Sequence, residues 1–443
     1  MAKEYYFISD LHIGGDGALD ICEFEPELIG FLKELEQKDK GTELIIIGDA
    51  FGLWELTGAD GIDKLRTVIS HHRELFEQFK KTGSAIRITI VPGNHDYELA
   101  CYHEFITLLE EYNITLDPKE HITREVGGRT IWIEHGSQRD SYNAISDFGN
   151  PYVTPEGYYI TRRVVSTAGK YSRAGRHNWL RDLESVYPNE YIPDWIVSNY
   201  FYREMSPLLR WLLVPFLLLF GLTIITYVGM LLERAGIIGT DIFNRNFIMS
   251  LGIFGKLFGI VFIVNSLIIT FLILLSIPFA LIYWDVLKTL NRYGLRATHN
   301  FHAQKNQAYL DAARKIMKKN PDVVIFIFGH THEAFLEKED GKAIINTGTW
   351  LKILNRIPAR FRFMPDVYYP SFSLNYFLIH EAAGNIVIHY RYIHKKFKPG
   401  LTLLQRFVLL GKRRKDGTHI PPTTVIDVRK RERAFHPLYR SKS

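Results

Sequence analysis

Cysteine is almost missing from this chain: Cys22 and Cys101 are the only two in 443 residues. That excludes a disulfide framework as the source of stability and fits a reducing compartment. No repeat of fixed period is visible, so nothing suggests a repeat architecture. The opening residues, MAKEYYFISD, lack the basic-then-apolar leader of a secretory signal. Charge is missing from two long stretches, the 22 residues 211–232 and the 28 residues 257–284. Elsewhere the composition is ordinary. A hydrophobic fraction of 47% supports a large core, and the length allows two or three domains.

The net charge of +6 is unevenly spread. From Lys395 to Ser443 fourteen Lys or Arg face three acidic residues, so that tail is +11 and the remainder −5. Such a tail is either a solvated, solubilising end or a contact for anionic lipid or nucleic acid.

Short apolar runs alternate with helical patterns. YYFIS (5–9), ELIII (43–47), IRITIV (86–91), RTIWIE (129–134) and DVVIFIF (322–328) read as strands. FEPELIGFLKELEQ (24–37) puts Leu28, Phe31, Leu32 and Leu35 on one helical face, and residues 62–82 read as a further helix. Near the end, NYFLIH and IVIHYRYI flank EAAGN and predict a β-hairpin. The whole is α/β.

Polar motifs follow those strands: DLH (Asp10, His12), GD (Asp49), GNHD (Asn94, His95, Asp96), HG (His135) and GHTH (His330, His332). Loops after strand ends are where α/β folds keep ligands. Carboxylate, imidazole and amide oxygen without thiolate suit a divalent ion such as manganese, iron or zinc. An Asp at a strand end can bridge two ions roughly 3.5–4 Å apart, which together activate water and clamp a phosphoryl group. Each motif alone is weak; five in order, each at a strand end, are not. His71, His72, His103 and His121 belong to no motif and read as surface or helix residues.

On these motifs, residues 3–136 and about 322–394 resemble the calcineurin-like metallophosphoesterase family. The resemblance implies a four-layer α/β/β/α sandwich and two divalent ions, manganese first, with iron, zinc or magnesium as alternatives. By position it implies that Asp10, His12 and His332 hold one ion and that Asn94, His135 and His330 hold the other. Asp49 would bridge them. His95 would sit beside the phosphoryl group, with Asp96 orienting it. The stretch GDAFGLWEL (48–56) is similar to UDP-diacylglucosamine diphosphatases of lipid A synthesis, which also carry a helical insertion between HG and GHTH. Two features depart from that branch. His95 stands where many members carry arginine, and this insertion is far longer.

The resulting organisation has four parts. Residues 1–150 and 301–394 form the two halves of the phosphoesterase core. Residues 151–300 are an insertion, and 395–443 a basic C-terminal tail. At ~1.5 Å per residue both charge-free runs can cross a ~30 Å hydrocarbon layer. Two crossings return the chain to its starting side, expected to be the cytoplasm. Arg203, Arg210, Lys288, Arg292 and Arg296 flank the hairpin on that side. A buried hairpin or a re-entrant one is the alternative. Before it, residues 158–182 place Arg162, Arg163, Arg173 and Arg176 among aromatics, either as a phosphate-binding cap or as a solvated connector. The expected activity is hydrolysis of a phosphate ester or pyrophosphate in an amphiphilic substrate, such as a nucleotide-diphospho-lipid. A lipid or prenyl phosphomonoesterase, a tethered nucleotide phosphodiesterase and a non-catalytic membrane scaffold are the alternatives. The expected partner is membrane lipid; nucleic acid ranks last.

Overall fold

The structure is a computed structural model. It describes residues 3–15, 20–159, 161–162, 182, 185–186, 191–240, 242–243, 245–292, 301–360, 364–398, 400–410 and 420–427. Arg163, Arg173 and Arg176 lie outside the described residues, as does the tail beyond 427.

Two sheets dominate. Four strands, β1 (Glu4–Ile8), β2 (Thr42–Ile47), β3 (Arg87–Val91) and β4 (Ile114–Leu116), run parallel. Beside β1 an antiparallel extension adds β12 (Leu374–Ala382), β13 (Asn385–Ile393) and β14 (Thr423–Ile426). This gives the order β14-β13-β12-β1-β2-β3-β4. The second sheet has the order β5-β6-β7-β9-β8. Its strands are β5 (His121–Val126), β6 (Arg129–Glu134), β7 (Val323–Phe328), β8 (Phe335–Glu339) and β9 (Lys342–Asn346). A separate ribbon pairs β10 (Lys352–Ile357) with β11 (Val367–Phe372).

Side-chain alternation builds the layers. On β1, Tyr5 and Phe7 face the second sheet while Tyr6 and Ile8 face helices. On β2, Ile45 and Ile47 are divided in the same way from Leu44 and Ile46. Both faces are covered, which is why these strands read as unbroken apolar runs. The outer face of the first sheet carries α1 (Glu25–Glu36), α2 (Ile62–His71), α3 (Arg73–Ala85) and α4 (His103–Glu110). The outer face of the second carries a later helix, Phe301–Lys319, through Tyr309, Ala313 and Met317. Leu28, Phe31, Leu32 and Leu35 are the buried stripe of α1, as their spacing predicts. The Ala383-Gly384 turn, with both φ values positive, closes the β12–β13 hairpin.

Two expectations need correction. Residues 62–82 do not form one helix. The chain breaks at His72 (φ −111°, ψ 40°), whose buried ring turns toward Asp20 and Glu25. Residues 395–443 are not all solvated tail. Leu403–Leu409 forms a helix capped by Thr402, and β14 extends the main sheet. Charge counting hid these short apolar runs.

Within the insertion, a short turn of helix, α5 (Glu156–Tyr159), precedes α6 (Ile192–Asn199). Then come α7 (Pro207–Arg234), α8 (Arg245–Ser250) and α9 (Ile253–Arg292). Ser206 caps α7 by accepting from the Leu209 amide at 3.2 Å. Asn265 Nδ2 donates to Thr223 Oγ1 at 3.1 Å, and Phe262 stacks on Tyr227, so α7 and α9 pack antiparallel. Phe201, Tyr202 and Met205 root the hairpin on Ile357, Val367, Val408 and Leu409. Helix α10 is Phe301–Lys319 and α11 is Leu403–Leu409.

Candidate metal centre

The carboxyl ends of β1, β2, β3, β6 and β7 converge, and each delivers one polar motif. Among the described residues nine non-glycines have positive φ, and five of them are Asp10, His12, Asp49, His330 and His332. Backbone strain of this kind persists only where the surroundings over-determine it. Here the loops must turn sharply to aim short side chains at one point. The motif glycines allow the approach: a Cβ on Gly93 would collide with Asp49 Oδ1, and one on Gly329 would lie 2.5 Å from Asp10 Oδ2.

Two ligand groups result. Asp10, His12 and His332 bring ligand atoms within 4.8 Å of one another, and so do Asp49, His135 and His330. Asp49 Oδ2 lies between the groups, 3.6 Å from His12 Nε2 and 3.2 Å from His135 Nε2. Asn94 Oδ1 joins the second group, 3.1 Å from His135 Nε2. All seven residues are thus brought together.

The His135 ring tests whether this set fits a cation. Its Nδ1 donates to the Ile47 carbonyl at 2.9 Å. In the neutral ring Nε2 then carries a lone pair, aimed at two oxygens that are themselves acceptors. That contact is tolerable only with a positive charge at Nε2, either a proton or a metal ion. Burial pushes this imidazole down, but the charge and hydrogen bond of Asp49 outweigh it and raise it to about 9. His12 goes the other way. Burial and the neighbouring His95 push it down to about 4, which keeps it neutral and ready to ligate. Ions bound here would supply Lewis acidity and an activated water.

His95 borders the centre without belonging to either group. Its amide donates to Asp49 Oδ1 at 2.7 Å. Its ring lies 4.5 Å from those of both Trp54 and His12. Asp96 does not orient that ring as expected. Its carboxylate accepts from the Gly93 amide at 2.6 Å and the Phe51 amide at 3.2 Å, tying two ligand loops together. Burial and the nearby Asp49 charge raise it to about 7. The ring is instead held by Glu55, whose Oε1 is 2.6 Å from His95 Nδ1. Glu55 is buried, and although burial raises its pKa, the charge and hydrogen bond of His95 bring it below the ordinary value. A carboxylate on Nδ1 leaves Nε2 to exchange a proton with a substrate oxygen. The sequence carried one signal for Glu55: a lone acid inside the apolar run FGLWEL.

The segment after His135 and the start of the insertion wrap the mouth. Asp140 Oδ2 is 3.2 Å from His330 Nε2, and Asn143 Oδ1 accepts from Asn94 Nδ2 at 3.3 Å. Burial works against the Asp140 charge, but bonding to His330 and Asn143 holds it below the ordinary range. Tyr158 packs edge-on against Trp54, and Arg162 lies over Tyr158 while pairing with Asp60 at 3.3 Å. Of the four arginines expected to bind phosphate, Arg162 is the one described. Behind the centre Thr349 Oγ1 donates to the Asp10 carbonyl at 2.6 Å, and Ser9 bonds Asp10 and Thr347. Thr347 and Thr349 come from the loop after β9, a strand whose following loop the sequence did not mark.

Residues 4–217 match the calcineurin-like phosphoesterase family. That stretch, just under half of the chain, holds Asp10, His12, Asp49, Asn94 and His135 of the ligand set. The protein is a metal-dependent phosphoesterase. No curated protein matches the sequence. Among solved structures it is similar to vacuolar protein sorting 29 from Cryptosporidium parvum (11% identity, 89% of this chain and 92% of that one, TM-score 0.29). It is also similar to a predicted phosphoesterase from Streptococcus pneumoniae (10%, 90% and 95%, 0.27). A third is vacuolar protein sorting 29 from Entamoeba histolytica (11%, 88% and 92%, 0.26). At these scores the fold rests on the sheets and layers described above.

Proposed function

We propose that this phosphoesterase is membrane-associated and hydrolyses a phosphate ester or pyrophosphate bond in an amphiphilic substrate. The favoured substrate class is a nucleotide-diphospho-lipid resembling UDP-diacylglucosamine. The carrying observation is that the segment after His135 borders the ligand groups and leads directly into an insertion with an uncovered apolar surface. Along it Asp140 and Asn143, and then Tyr158 of the insertion, touch His330, Asn94 and Trp54. Further along, Ile253–Leu274 has a mean hydropathy of 2.7 with 6% of its apolar window buried. A core helix of a soluble protein would be mostly buried, so this exposure supports a lipid environment. The cations flanking the hairpin at 203–210 and 288–292 favour a cytoplasmic catalytic face. Arg162, which lies over Tyr158 beyond Trp54, would meet a second phosphate of the substrate in exchange for its pairing with Asp60.

The test is a substrate panel with the purified full-length protein and added manganese. It compares a nucleotide-diphospho-lipid, a lipid monophosphate and a soluble phosphodiester, all in detergent. The diphospho-lipid should give the highest kcat/KM. Preference for the monophosphate would point to a lipid phosphomonoesterase. Equal turnover of the soluble diester, together with recovery of the protein without detergent, would overturn the membrane reading.

A further inference from the structure

A second group of metal-ligating side chains lies among residues that the phosphoesterase centre does not use. Cys22 precedes α1, Glu25 is the first residue of α1, and His72 is the break between α2 and α3. The Cys22 sulfur, a Glu25 carboxylate oxygen and a His72 ring nitrogen all lie within 4.8 Å of one another. His72 is 3% exposed, and its Nδ1 is 2.8 Å from Glu25 Oε2. Its Nε2 faces Asp20 Oδ2 at 3.3 Å but makes no directed hydrogen bond, although it is buried. Asp20 is itself fixed, because its Oδ1 accepts from the Cys22 amide at 2.9 Å.

One alternative is an imidazolium between two carboxylates. That accounts for His72, Glu25 and Asp20, and it leaves Cys22 as a thiol packed at the edge of the α1 core, with no part in the cluster. A cation accounts for all four. Thiolate, imidazole and carboxylate together form a zinc-type donor set, and manganese or magnesium would not select the sulfur. A ligating histidine normally has a carboxylate at its other ring nitrogen, as His72 has. The helix break also gains a reason, since an uninterrupted helix over 62–82 would not present this ring to the loop before α1.

We propose that Cys22, Glu25 and His72 form a third metal site, specific for zinc, with Asp20 steadying the His72 ring. Binding replaces the Cys22 S–H proton and the imidazolium proton, both released to solvent. The ion would pin the chain running from the Asp10–His12 loop to α1 against the α2–α3 break.

The test uses the full-length protein in detergent, loaded with manganese and then titrated with cobalt as the probe. The catalytic ligand set contains no sulfur, so a near-ultraviolet thiolate-to-cobalt absorption reports this site alone. The band should appear, be bleached by zinc, vanish in Cys22→Ser and persist in Cys101→Ser. A second measurement needs no variant: thiol labelling of the native protein, read at both cysteines by mass spectrometry. Zinc should slow labelling of Cys22 by about tenfold or more and leave Cys101 unchanged. Absence of the band with no effect of zinc on Cys22 labelling would overturn the proposal, and so would a band that survives Cys22→Ser.

Discussion

Glu55→Gln is the sharpest probe of how the centre works. The side chain is buried and takes His95 Nδ1 at 2.6 Å. Glutamine keeps its volume and can still accept one hydrogen bond, so the ring should stay in place. The His95 amide bond to Asp49, at 2.7 Å, holds the backbone independently. What is lost is the negative charge that supports the imidazolium when His95 carries a proton to the leaving oxygen. A charge-assisted hydrogen bond is worth about twice a neutral one, a difference of roughly 1–2 kcal/mol. At about 1.4 kcal/mol per decade, kcat should fall roughly five- to thirtyfold, with metal content unchanged. His95→Ala should cost more, about 10²–10⁴-fold. The two must not add. In the double variant Glu55→Gln should cost almost nothing beyond His95→Ala, because its only route to the reaction is through that ring. The assay is steady-state hydrolysis of a small phosphodiester, with bound metal counted in each variant. Full additivity would refute the reasoning. So would loss of an ion in Glu55→Gln alone, which would make Glu55 a ligand beside His12 and His95, three residues that do cluster within ligand distance.

Asp49→Ala should abolish activity and lower metal content more than any other single change, because Asp49 faces both ligand groups; two ions retained per chain would count against its bridging position. His135, raised to about 9, is protonated in the metal-free protein near pH 7.5 and must lose that proton to ligate. Adding manganese to chelator-stripped protein in weak buffer should therefore release about one proton more than the same addition to His135→Asn. The same shift stabilises the metal-free fold fully below the unfolded value of 6.5, and that stability is lost as pH rises through about 9, which chelated protein in a denaturant series would show. Excising residues 208–286 and closing the gap with a short linker should leave cleavage of a small soluble phosphodiester intact and remove turnover of the lipid substrate. Undiminished lipid turnover in detergent by the excised enzyme would reduce the hairpin to a tether.

The strands and ligand loops were legible because their signals are local. ELIII and DVVIFIF are buried on both faces, and each motif follows its strand within a few residues. The partner of His95 was not legible. Asp96 is adjacent in sequence, whereas Glu55 is forty residues away and meets the ring only because β2 and β3 are neighbours. Its carboxylate left a trace as the one acid in an apolar run, but the run does not say what the acid faces. The break at His72 was invisible for a different reason. Helical periodicity on its two sides is almost continuous, and the residues that pull the ring inward, Asp20 and Glu25, come from the loop before α1 and the first residue of α1. The tail was misjudged because its charge count outweighs two short segments, 403–409 and 423–426, whose burial is decided by α7's root and by β13.

The division of one metal site by a long apolar insertion follows from the second sheet. Strands β6 and β7 are parallel neighbours, so the chain leaves β6 at its carboxyl end and must cross back to begin β7 at the opposite end. Any fold with this pairing needs a crossover there, and α10 is the helix that completes it, covering the sheet through Tyr309 and Ala313. The insertion therefore occupies a connection the fold already required, and it interrupts no strand and no ligand loop. Its point of departure is also fixed. Residues just past His135 emerge where the five loops converge, so Asp140, Asn143 and Tyr158 border the ligands as a matter of topology. A hairpin grown from either chain terminus would carry no such constraint. Under the proposed function this one would bring its lipid to the mouth of the centre, and the residues that form the mouth precede its first long helix. Removing 208–286 spares them, which is why a loss confined to the lipid substrate can be read as a loss of presentation and not of catalysis.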